Sequence, residues 1–273
     1  MIRSEAMFLP FDPGQRLCIV HTPASGTARA VVICVAPFAD EMNKSRRMIA
    51  VTARALAEAG FAVVLIDLLG CGDSSGDFGD ADWSIWLRDI AAARRWAAGR
   101  YATAQWLWGL RGGALLAARS ATEHGECSLM LWQPVLSGQQ HLSQFLRLRV
   151  AADALSQSEN RESTKQIRAR LRDGHPEEIA GYTLSPALAD GLEGATLTLP
   201  SSFRGKIIWC EISPEEPAAL GPASEVRVAE WREAGLDIRA RAVCGPAFWQ
   251  TPEIAECPGL VQLSLDELLG GLS

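Results

Sequence analysis

The sequence predicts an α/β fold in which helices cover both faces of a mostly parallel β-sheet. Continuous apolar runs, which are typical of strands buried on both faces, alternate with amphipathic helical patterns along residues 30–133. Such an alternation favours parallel strands joined by helical crossovers. With 273 residues, 48% of them hydrophobic, the chain can form one large domain or a core domain with an insertion.

The first half of the chain gives the clearest predicted elements. Segments 2–9 and 15–22 flank the turn signal Asp12-Pro13-Gly14, which indicates an opening hairpin. A helical pattern that begins at Asn43 stops before Gly60, the expected C-cap. In order, the predicted elements are strand 30–36, helix 43–59, strand 61–70, helix 80–98, strand 104–108, helix 112–123 and strand 127–133.

The alternation stops after Pro134. The next 60 or so residues are more polar and mostly helical in pattern, and the last predicted elements are strand 205–213, helix 223–234 and strand 237–245. We therefore predict a core formed by 1–136 and 201–273, with a mainly helical cap inserted at 137–200. The cap should lie over the carboxyl edge of the sheet, where open α/β sheets bind ligands.

Composition and charge exclude several classes of function. A net charge of −6 with scattered basic residues argues against a nucleic-acid partner. No apolar stretch approaches the ~20 residues of a membrane span, and the first residues contain no long apolar segment of a secretory signal. The seven cysteines form no C-x-x-C pair, and Cys34, Cys127, Cys210 and Cys244 lie in apolar runs. We therefore predict a cytoplasmic protein with buried cysteines and with neither a metal site nor another cofactor.

Residues 107–118, LWGLRGGALLAA, resemble the strand-to-helix turn that presents a hydrolase nucleophile in the pattern G-x-S-x-G. The central residue of that turn adopts a strained backbone, and small neighbours relieve the crowding. Here Arg111 takes the central place between Gly109 and Gly113. A guanidinium stays protonated in proteins, so Arg111 cannot be a nucleophile.

The other members of a catalytic triad are also missing from the expected places. On this fold the order is nucleophile, acid, histidine. The four histidines are residues 21, 124, 141 and 175, so none follows the last predicted strand, where Phe248 and Trp249 stand instead. We interpret His21 and His124 as structural. His141 and His175 lie in the predicted cap, where either could overhang the pocket, but we favour a catalytic role for neither. A standard Ser-His-Asp mechanism is not supported.

Two acids follow the strand at 205–213, where the acid member of a triad belongs. These are Glu211 and Glu215. Because no histidine is available for them to orient, an ion pair or a surface position is the favoured alternative for both.

Arg111 has two competing interpretations. It is either a buried structural cation paired with an acid, or a bidentate donor for a carboxylate or phosphate at a turn whose amides already favour negative charge. Glu41 is the first candidate for its counter-charge, although Glu41 with Asp40 and Asn43 also suits a helix start.

The remaining predicted ligand contacts come from loops and strand ends. The loop after the third strand should supply an oxyanion-hole amide from Phe38 or Ala39, together with the amide of Gly112. Aromatic side chains at the carboxyl ends of strands are candidates for the pocket wall. They are Trp132, Trp209 and Trp249, next to Phe248.

Five segments resemble the second of the two exosortase A system-associated hydrolase families. They are APFADEMNKSRRM (36–48), DLLGCGDSSGDF (67–78), WGLRGGALLA (108–117), GYTLSPALADGL (181–192) and GPAFWQTPEI (245–254). The resemblance covers nearly the whole chain and implies an α/β-hydrolase fold. It also implies a role beside the exosortase and exopolysaccharide machinery, and it makes an arginine at the elbow a family trait.

Three hypotheses of function follow. The first is an α/β-hydrolase-fold protein that binds a small anionic or acyl-bearing ligand around Arg111 without serine-hydrolase turnover. The second is an enzyme of ester, thioester or acyl-transfer chemistry with an atypical apparatus. The third is a scaffold of the protein-sorting or polysaccharide-synthesis system. The sequence does not fix the oligomeric state, the ligand, or whether the cap moves.

Overall fold

The computed structural model describes residues 2–123, 127–155 and 162–272. Its strands are β1 (Ile2–Pro10), β2 (Gln15–Pro23), β3 (Val31–Val35), β4 (Ala62–Ile66), β5 (Gln105–Leu110), β6 (Ser128–Trp132), β7 (Glu177–Ile179), β8 (Tyr182–Leu184), β9 (Ile207–Ser213) and β10 (Ile238–Cys244). Its α-helices are α1 (Asp40–Glu58), α2 (Trp83–Arg100), α3 (Gly113–Glu123), α4 (Gly138–Leu155), α5 (Thr164–Arg172), α6 (Pro186–Gly194), α7 (Pro222–Glu233) and α8 (Pro258–Gly271).

Eight strands form one sheet in the order β1-β2-β4-β3-β5-β6-β9-β10. The hairpin β1–β2 is antiparallel and β2 joins β4 antiparallel, whereas the pairs from β4 to β10 are parallel. The order reverses around β3, so the carboxyl ends of β3 and β5 lie side by side in the middle of the sheet. The predicted mostly parallel sheet and its opening hairpin are confirmed.

Two apolar cores lie on the two faces of the sheet, as the alternation of side chains along each strand requires. In β3, Ile33 belongs to the core that contains α2, α3 and α7, and Cys34 belongs to the core that contains α1 and α8. Helices therefore cover both faces, as predicted.

Residues 138–194 hold helices α4, α5 and α6 and the two-stranded ribbon β7–β8. The ribbon was not predicted, since the sequence pattern indicated a mainly helical segment. Ala180 and Gly181 form its turn, with φ of 51° and 82°. Positive φ at both central residues is the mark of a tight hairpin turn, but such turns favour Asn-Gly or Asp-Gly, so the Ala-Gly pair gave little signal. The limits 137 and 200 of the cap stay a prediction.

Two hydrogen bonds join this segment to the core. The Ser185 hydroxyl donates to the Ala81 carbonyl over 2.5 Å, and the Asn43 amide donates to the Tyr182 hydroxyl over 2.8 Å. Asn43 therefore contacts the ribbon and does not cap α1. The N-cap residue of α1 is Ala39, which makes no side-chain capping bond.

Some predicted bounds need correction. Helix α1 begins at Asp40, three residues before the expected Asn43, and β4 ends at Ile66 where a strand to residue 70 was expected. Helix α8 was not predicted. Cys244 is exposed because it ends the edge strand β10, so its predicted burial was wrong, whereas Cys34, Cys127 and Cys210 are buried. His124 lies outside the described residues.

Candidate ligand site at the elbow between β5 and α3

The turn between β5 and α3 has the backbone geometry of a strained elbow. Arg111 adopts φ of 53°, a left-handed conformation that is costly for a residue with a side chain. Its N–H donates to the Trp132 carbonyl over 3.0 Å, and its carbonyl accepts from the Ala114 N–H over 3.1 Å. These bonds fix the strained residue at the carboxyl edge of the sheet.

The flanking glycines are sterically required. A Cβ on Gly109 would lie 2.6 Å from the Ala114 Cα, and one on Gly113 would lie 2.2 Å from the Val35 carbonyl oxygen. Because β3, β5 and α3 approach this closely, the G-x-x-x-G spacing of the sequence is a packing requirement of the elbow.

The Arg111 guanidinium is held between an acid and an aromatic ring. Its Nε and Nη2 each lie 3.2 Å from Oε1 of Glu41, on the first turn of α1. Its carbon Cζ lies 5.3 Å from the centre of the Trp249 ring, a cation–π contact. Of the Arg111 side chain 17% remains exposed, so the cation is partly open to solvent. Glu41, the first candidate from the sequence, is therefore the acid that pairs with Arg111.

His141 on α4 covers the same site. Its Nε2 lies 3.9 Å from Oε2 of Glu41, and its ring packs edge-on against Phe38 with the ring centres 5.1 Å apart. A Cβ added at Gly112 would lie 3.1 Å from the His141 Nε2, so the ring sits directly over the elbow. Burial, and secondly the charge of Arg111, lowers the pKa of His141 to about 3. His141 is therefore neutral at physiological pH.

Three buried polar atoms at this site make no hydrogen bond of regular geometry among the described residues, although the Gln144 side chain interacts with the His141 ring and opposes the fall of its pKa. They are Oε2 of Glu41 and both ring nitrogens of His141. Burial raises the pKa of Glu41 from its ordinary value and Asp40 adds to the increase, whereas Arg111 opposes it. Unpaired buried polar atoms are costly, so a cluster of three indicates a place for a water or a ligand.

Backbone amides complete the site. The N–H groups of Phe38, Ala39 and Gly112, from which an oxyanion hole was predicted, donate to no backbone acceptor among the described residues, and the hole itself stays a prediction. Ala39 is itself strained, with φ of 55°, which turns the loop after β3 toward the elbow. An apolar slot of about 10 Å³, room for about one water, adjoins Phe38 and Gly112. It is lined by Ala36, Phe38, Trp83, Trp86, Gly112, Gly113, Leu116, Leu188 and Leu192.

The two candidate acids lie away from this site. Glu211 is buried, but its Oε1 accepts from the Trp209 Nε1 over 2.8 Å and its Oε2 from the Gly221 N–H over 2.9 Å. The carboxylate therefore holds the start of α7. Glu215 is exposed in the following loop. The structure brings no histidine of the described residues to either of them.

Two aromatic residues predicted to line the pocket need correction. Trp132 is fully buried, and its Nε1 donates to the Ser264 hydroxyl on α8 over 2.9 Å, on the sheet face opposite the slot. Trp209 is likewise buried, against Trp231. Phe248 is fully buried between Trp132 and Trp249, so it supports Trp249, whose ring contacts the Arg111 guanidinium.

Sequence analysis placed His141 in the cap, over the pocket, but it missed the contact of His141 with Glu41 and the place of Trp83 in the slot. His141 reaches Glu41 from a separate segment 100 residues away in the chain, and no local pattern signals such a contact. Trp83, which reads as a core residue of an amphipathic helix, lines the slot.

The described residues contain no group of three or more His, Cys, Asp or Glu side chains placed to hold a metal ion. No helix within the described ranges has the length and apolar character needed to cross a membrane.

Comparison with known proteins identifies related families and folds. The model of the Hydrolase_4 family, described as serine aminopeptidase, S33, matches residues 26–196. No curated protein matches the sequence. Est1E of Butyrivibrio proteoclasticus with bound ferulic acid is similar over 98% of this chain and 99% of its own, with a TM-score of 0.68 and 14% identity.

Two further solved structures are similar to this chain. A thermostable carboxyl esterase of Bacillus coagulans in complex with glycerol has a TM-score of 0.65 and 14% identity over 100% of this chain and 99% of its own. A soluble variant of the monoglyceride lipase of Saccharomyces cerevisiae, in complex with a substrate analogue, has a TM-score of 0.63 and 13% identity. The match covers 99% of this chain and 95% of the lipase chain. At these identities the likeness shows the fold, and the predicted α/β-hydrolase fold is confirmed.

Proposed function

Because this chain belongs to the Hydrolase_4 family of serine aminopeptidase-type (S33) α/β hydrolases, we propose that its elbow binds a small anionic or acyl-bearing ligand around Arg111, without serine-hydrolase turnover. The observation that carries the proposal is the cluster of unpartnered buried atoms of Glu41 and His141 beside the Arg111 guanidinium. A hydrolase elbow that carries a cation in place of an oxygen or sulfur can bind but cannot form an acyl-enzyme.

The chemistry of the site defines what the ligand must offer. The Arg111 guanidinium and the amides of Ala39 and Gly112 donate, so they suit a carboxylate or an acyl carbonyl oxygen. A hydroxyl or amide N–H of the ligand would bridge Oε2 of Glu41 and Nε2 of His141, which are 3.9 Å apart. The slot beside the elbow suits an acyl end no larger than a methyl group.

Ligand binding should depend on pH. An anion placed near Glu41 competes with its carboxylate for Arg111, and the raised pKa of Glu41 makes the protonated, non-competing form more accessible. The affinity for an anion should therefore increase as the pH falls toward the pKa of Glu41.

A test of binding uses sodium acetate and inorganic phosphate as probes, with sodium chloride at matched ionic strength. Saturation to ten times Kd should stabilise the protein by about 1.4 kcal/mol, which is a rise of a few degrees in the melting temperature. Arg111→Met should abolish the rise. Arg119→Met is the matched control, because Arg119 lies on α3, the helix that follows the elbow, with an exposed side chain.

The result decides the proposal directly. A rise in wild type and Arg119→Met that is lost in Arg111→Met supports it. A rise that survives Arg111→Met, or no rise in wild type with either probe, contradicts it.

A second candidate is hydrolysis by an atypical apparatus, and the Glu41–His141 pair favours it. A water bridging Oε2 of Glu41 and Nε2 of His141 would attack an ester carbonyl while Glu41 takes the proton. The amides of Ala39 and Gly112 would hold the oxyanion, and the alcohol would leave with the proton from Glu41. Turnover of p-nitrophenyl acetate above background that is lost in Glu41→Gln would replace the binding proposal with this one.

The subfamily and the partner are part of the proposal. The five segments that resemble exosortase-associated hydrolases support a place beside the protein-sorting or exopolysaccharide machinery, with residues 137–200 as the contact surface. Co-purification from a host with that machinery should recover one of its components, and exchange of the cap segment should abolish the recovery. Recovery that survives the exchange would remove the cap from this proposal.

A further inference from the structure

A second cavity, of about 160 Å³, lies beneath helix α1. It opens between α1 and strands β2, β3 and β4, and its walls include Cys34, Ile49 and Leu65, which pack in the α1–α8 core. The elbow slot lies in the opposite core, with Phe38 and Leu116. The lining residues are Leu17, Ile19, Cys34, Ala36, Met42, Arg46, Ile49, Ala50, Leu65, Ile66 and Asp67.

The walls are aliphatic and incompletely covered. Leu17, Ile19 and Leu65 face the cavity and are only half-buried, whereas Val63 and Val64 of β4 are fully buried. Apolar surface left in contact with water costs roughly 25 cal/mol per Å² relative to burial. An apolar molecule that fills the cavity gains that free energy without any rearrangement of the sheet.

The rim carries a loosely held cation. Nη2 of Arg46 lies 3.5 Å from Oδ2 of Asp67, and the Arg46 side chain is 44% exposed. No other acceptor among the described residues bonds the Arg46 guanidinium, whereas Oδ2 of Asp67 also accepts from the Asp73 N–H over 3.2 Å. The acid is therefore fixed by the loop, and the cation keeps free donors at the mouth of the cavity.

Gly72 shapes this rim. A Cβ there would lie 1.9 Å from Oδ2 of Asp67 and 2.5 Å from Nη2 of Arg46, and φ at Gly72 is +56°. The loop 67–78 thus closes against the rim with no room for a side chain at this point.

The size and chemistry of the cavity point to one class of ligand. An apolar cavity of about 150 Å³ is large enough to bind benzene. We propose that the cavity beneath α1 binds a small monocarboxylate with an apolar body of about six or seven carbons, such as benzoate. The body lies against Cys34, Ile49 and Leu65, and the carboxylate accepts from Arg46. This site is independent of the ligand proposed at Arg111.

The experiment measures binding of three probes by isothermal titration calorimetry. Benzoate carries the body and the charge, benzyl alcohol carries the body alone, and acetate carries the charge alone. We expect benzoate to bind at least ten-fold more tightly than either of the others. Arg46→Gln should weaken benzoate about ten-fold and leave benzyl alcohol unchanged, because only the charge-assisted contact is removed.

Two further variants identify the site. Ala50→Leu fills the cavity from α1 and should abolish the binding of benzoate and benzyl alcohol alike. Arg47→Gln is the matched control for Arg46, since Arg47 is the next residue of α1 and its exposed side chain pairs with Glu256. Arg111→Met reports on the elbow and should leave benzoate affinity unchanged.

The outcomes separate the two sites. Benzoate binding that is weakened about ten-fold in Arg46→Gln, abolished in Ala50→Leu and unchanged in Arg47→Gln and Arg111→Met supports the proposal. Loss in Arg111→Met with retention in Arg46→Gln would assign the ligand to the elbow and overturn it. Absence of benzoate binding to the wild-type protein would also overturn it. Arg46 is exposed, so its variant should fold even if Ala50→Leu does not.

Discussion

Arg111 combines a strained backbone with a paired side chain. A left-handed φ in a non-glycine residue costs of order 1–3 kcal/mol and persists only where neighbouring structure determines it. Here backbone hydrogen bonds with Trp132, Ala114 and Val135, an ion pair with Glu41 and the Trp249 ring fix the residue. A glycine would meet the backbone requirement at less cost, so the retained arginine indicates a role for its side chain.

His141 leads to a prediction about pH. Its pKa is about 3 in the folded protein because of burial and Arg111, whereas an unfolded histidine has a pKa near 6.5. As the pH falls from about 6.5 toward 3, the unfolded chain takes up a proton that the folded protein does not. This group therefore lowers the free energy of unfolding by up to about 1.4 kcal/mol per pH unit in that range and has no effect above it.

The measurement compares urea unfolding between pH 4 and pH 7. His141→Phe should show a shallower loss of stability toward low pH than wild type, and His175→Gln, at an exposed position, should follow wild type. Glu41, whose pKa is raised, titrates in all three proteins, so the difference between variants isolates His141. Equal slopes for wild type and His141→Phe would contradict the assigned burial.

The extent to which the site could be predicted depends on sequence distance. The elbow has a local pattern, and Glu41 follows directly from the loop that packs beside it, so both were predicted. The position of His141 depends on how α4 crosses the elbow, and the burial of Trp132 depends on α8, which was not predicted. Contacts that depend on the packing of distant helices leave no local signal.

At the scale of elements, the elbow gives a prediction about glycine. A Cβ on Gly113 would meet the Val35 and Ala36 carbonyl oxygens at 2.2 and 2.6 Å. Gly113→Ala should therefore destabilise the protein by several kcal/mol, since backbone must move. Gly99, also helical, has nothing within 4 Å of its built Cβ. Gly99→Ala should stabilise the protein by about 0.5–1 kcal/mol, the difference in helix propensity.

Thermal and urea unfolding of both variants checks this pair of opposite effects. Should Gly113→Ala be too unstable to purify, Gly109→Ala, whose Cβ would lie 2.6 Å from the Ala114 Cα, tests the same close approach. A neutral effect at both elbow positions would show that β5 and α3 can separate at little cost.

The elements themselves were predictable where the pattern was strong. Buried parallel strands such as β3 and β9 are continuous apolar runs, and they were found at nearly their observed positions. The strand predicted to reach residue 70 ends at Ile66, because Leu68 and Leu69 lie in the loop that follows and pack in the core that contains α2 without pairing in the sheet. Apolar content alone cannot distinguish these two kinds of burial.

At the scale of the whole molecule, one buried ion pair joins the opening hairpin to the core. Nε of Arg16 on β2 lies 2.7 Å from Oδ2 of Asp89 on α2, and both side chains are at most 1% exposed. The same Asp89 oxygen accepts from the Leu69 N–H over 2.9 Å, and Nη1 of Arg16 donates to the Pro13 carbonyl over 2.6 Å. The pair thus connects a hairpin, a helix and the loop after β4.

Loss of one partner of this pair should be much more costly than loss of both charges. Arg16→Met leaves Asp89 buried without its cation and should lower the free energy of unfolding by about 3–5 kcal/mol. The double variant Arg16→Met/Asp89→Asn removes both charges and keeps an oxygen for the Leu69 N–H, so it should recover most of that loss.

A second ion pair, also between the opening hairpin and α2, supplies the control. Arg100 on α2 lies 2.9 Å from Glu5 on β1, with both side chains more than one-third exposed, so Arg100→Met should cost no more than about 1 kcal/mol. Urea unfolding of the three variants and wild type gives the comparison. If Arg16→Met costs as little as Arg100→Met, the hairpin is held by its strand pairing with β4 alone. If the double variant is no more stable than Arg16→Met, the loss comes from the packing of the Arg16 side chain and not from the uncompensated charge of Asp89.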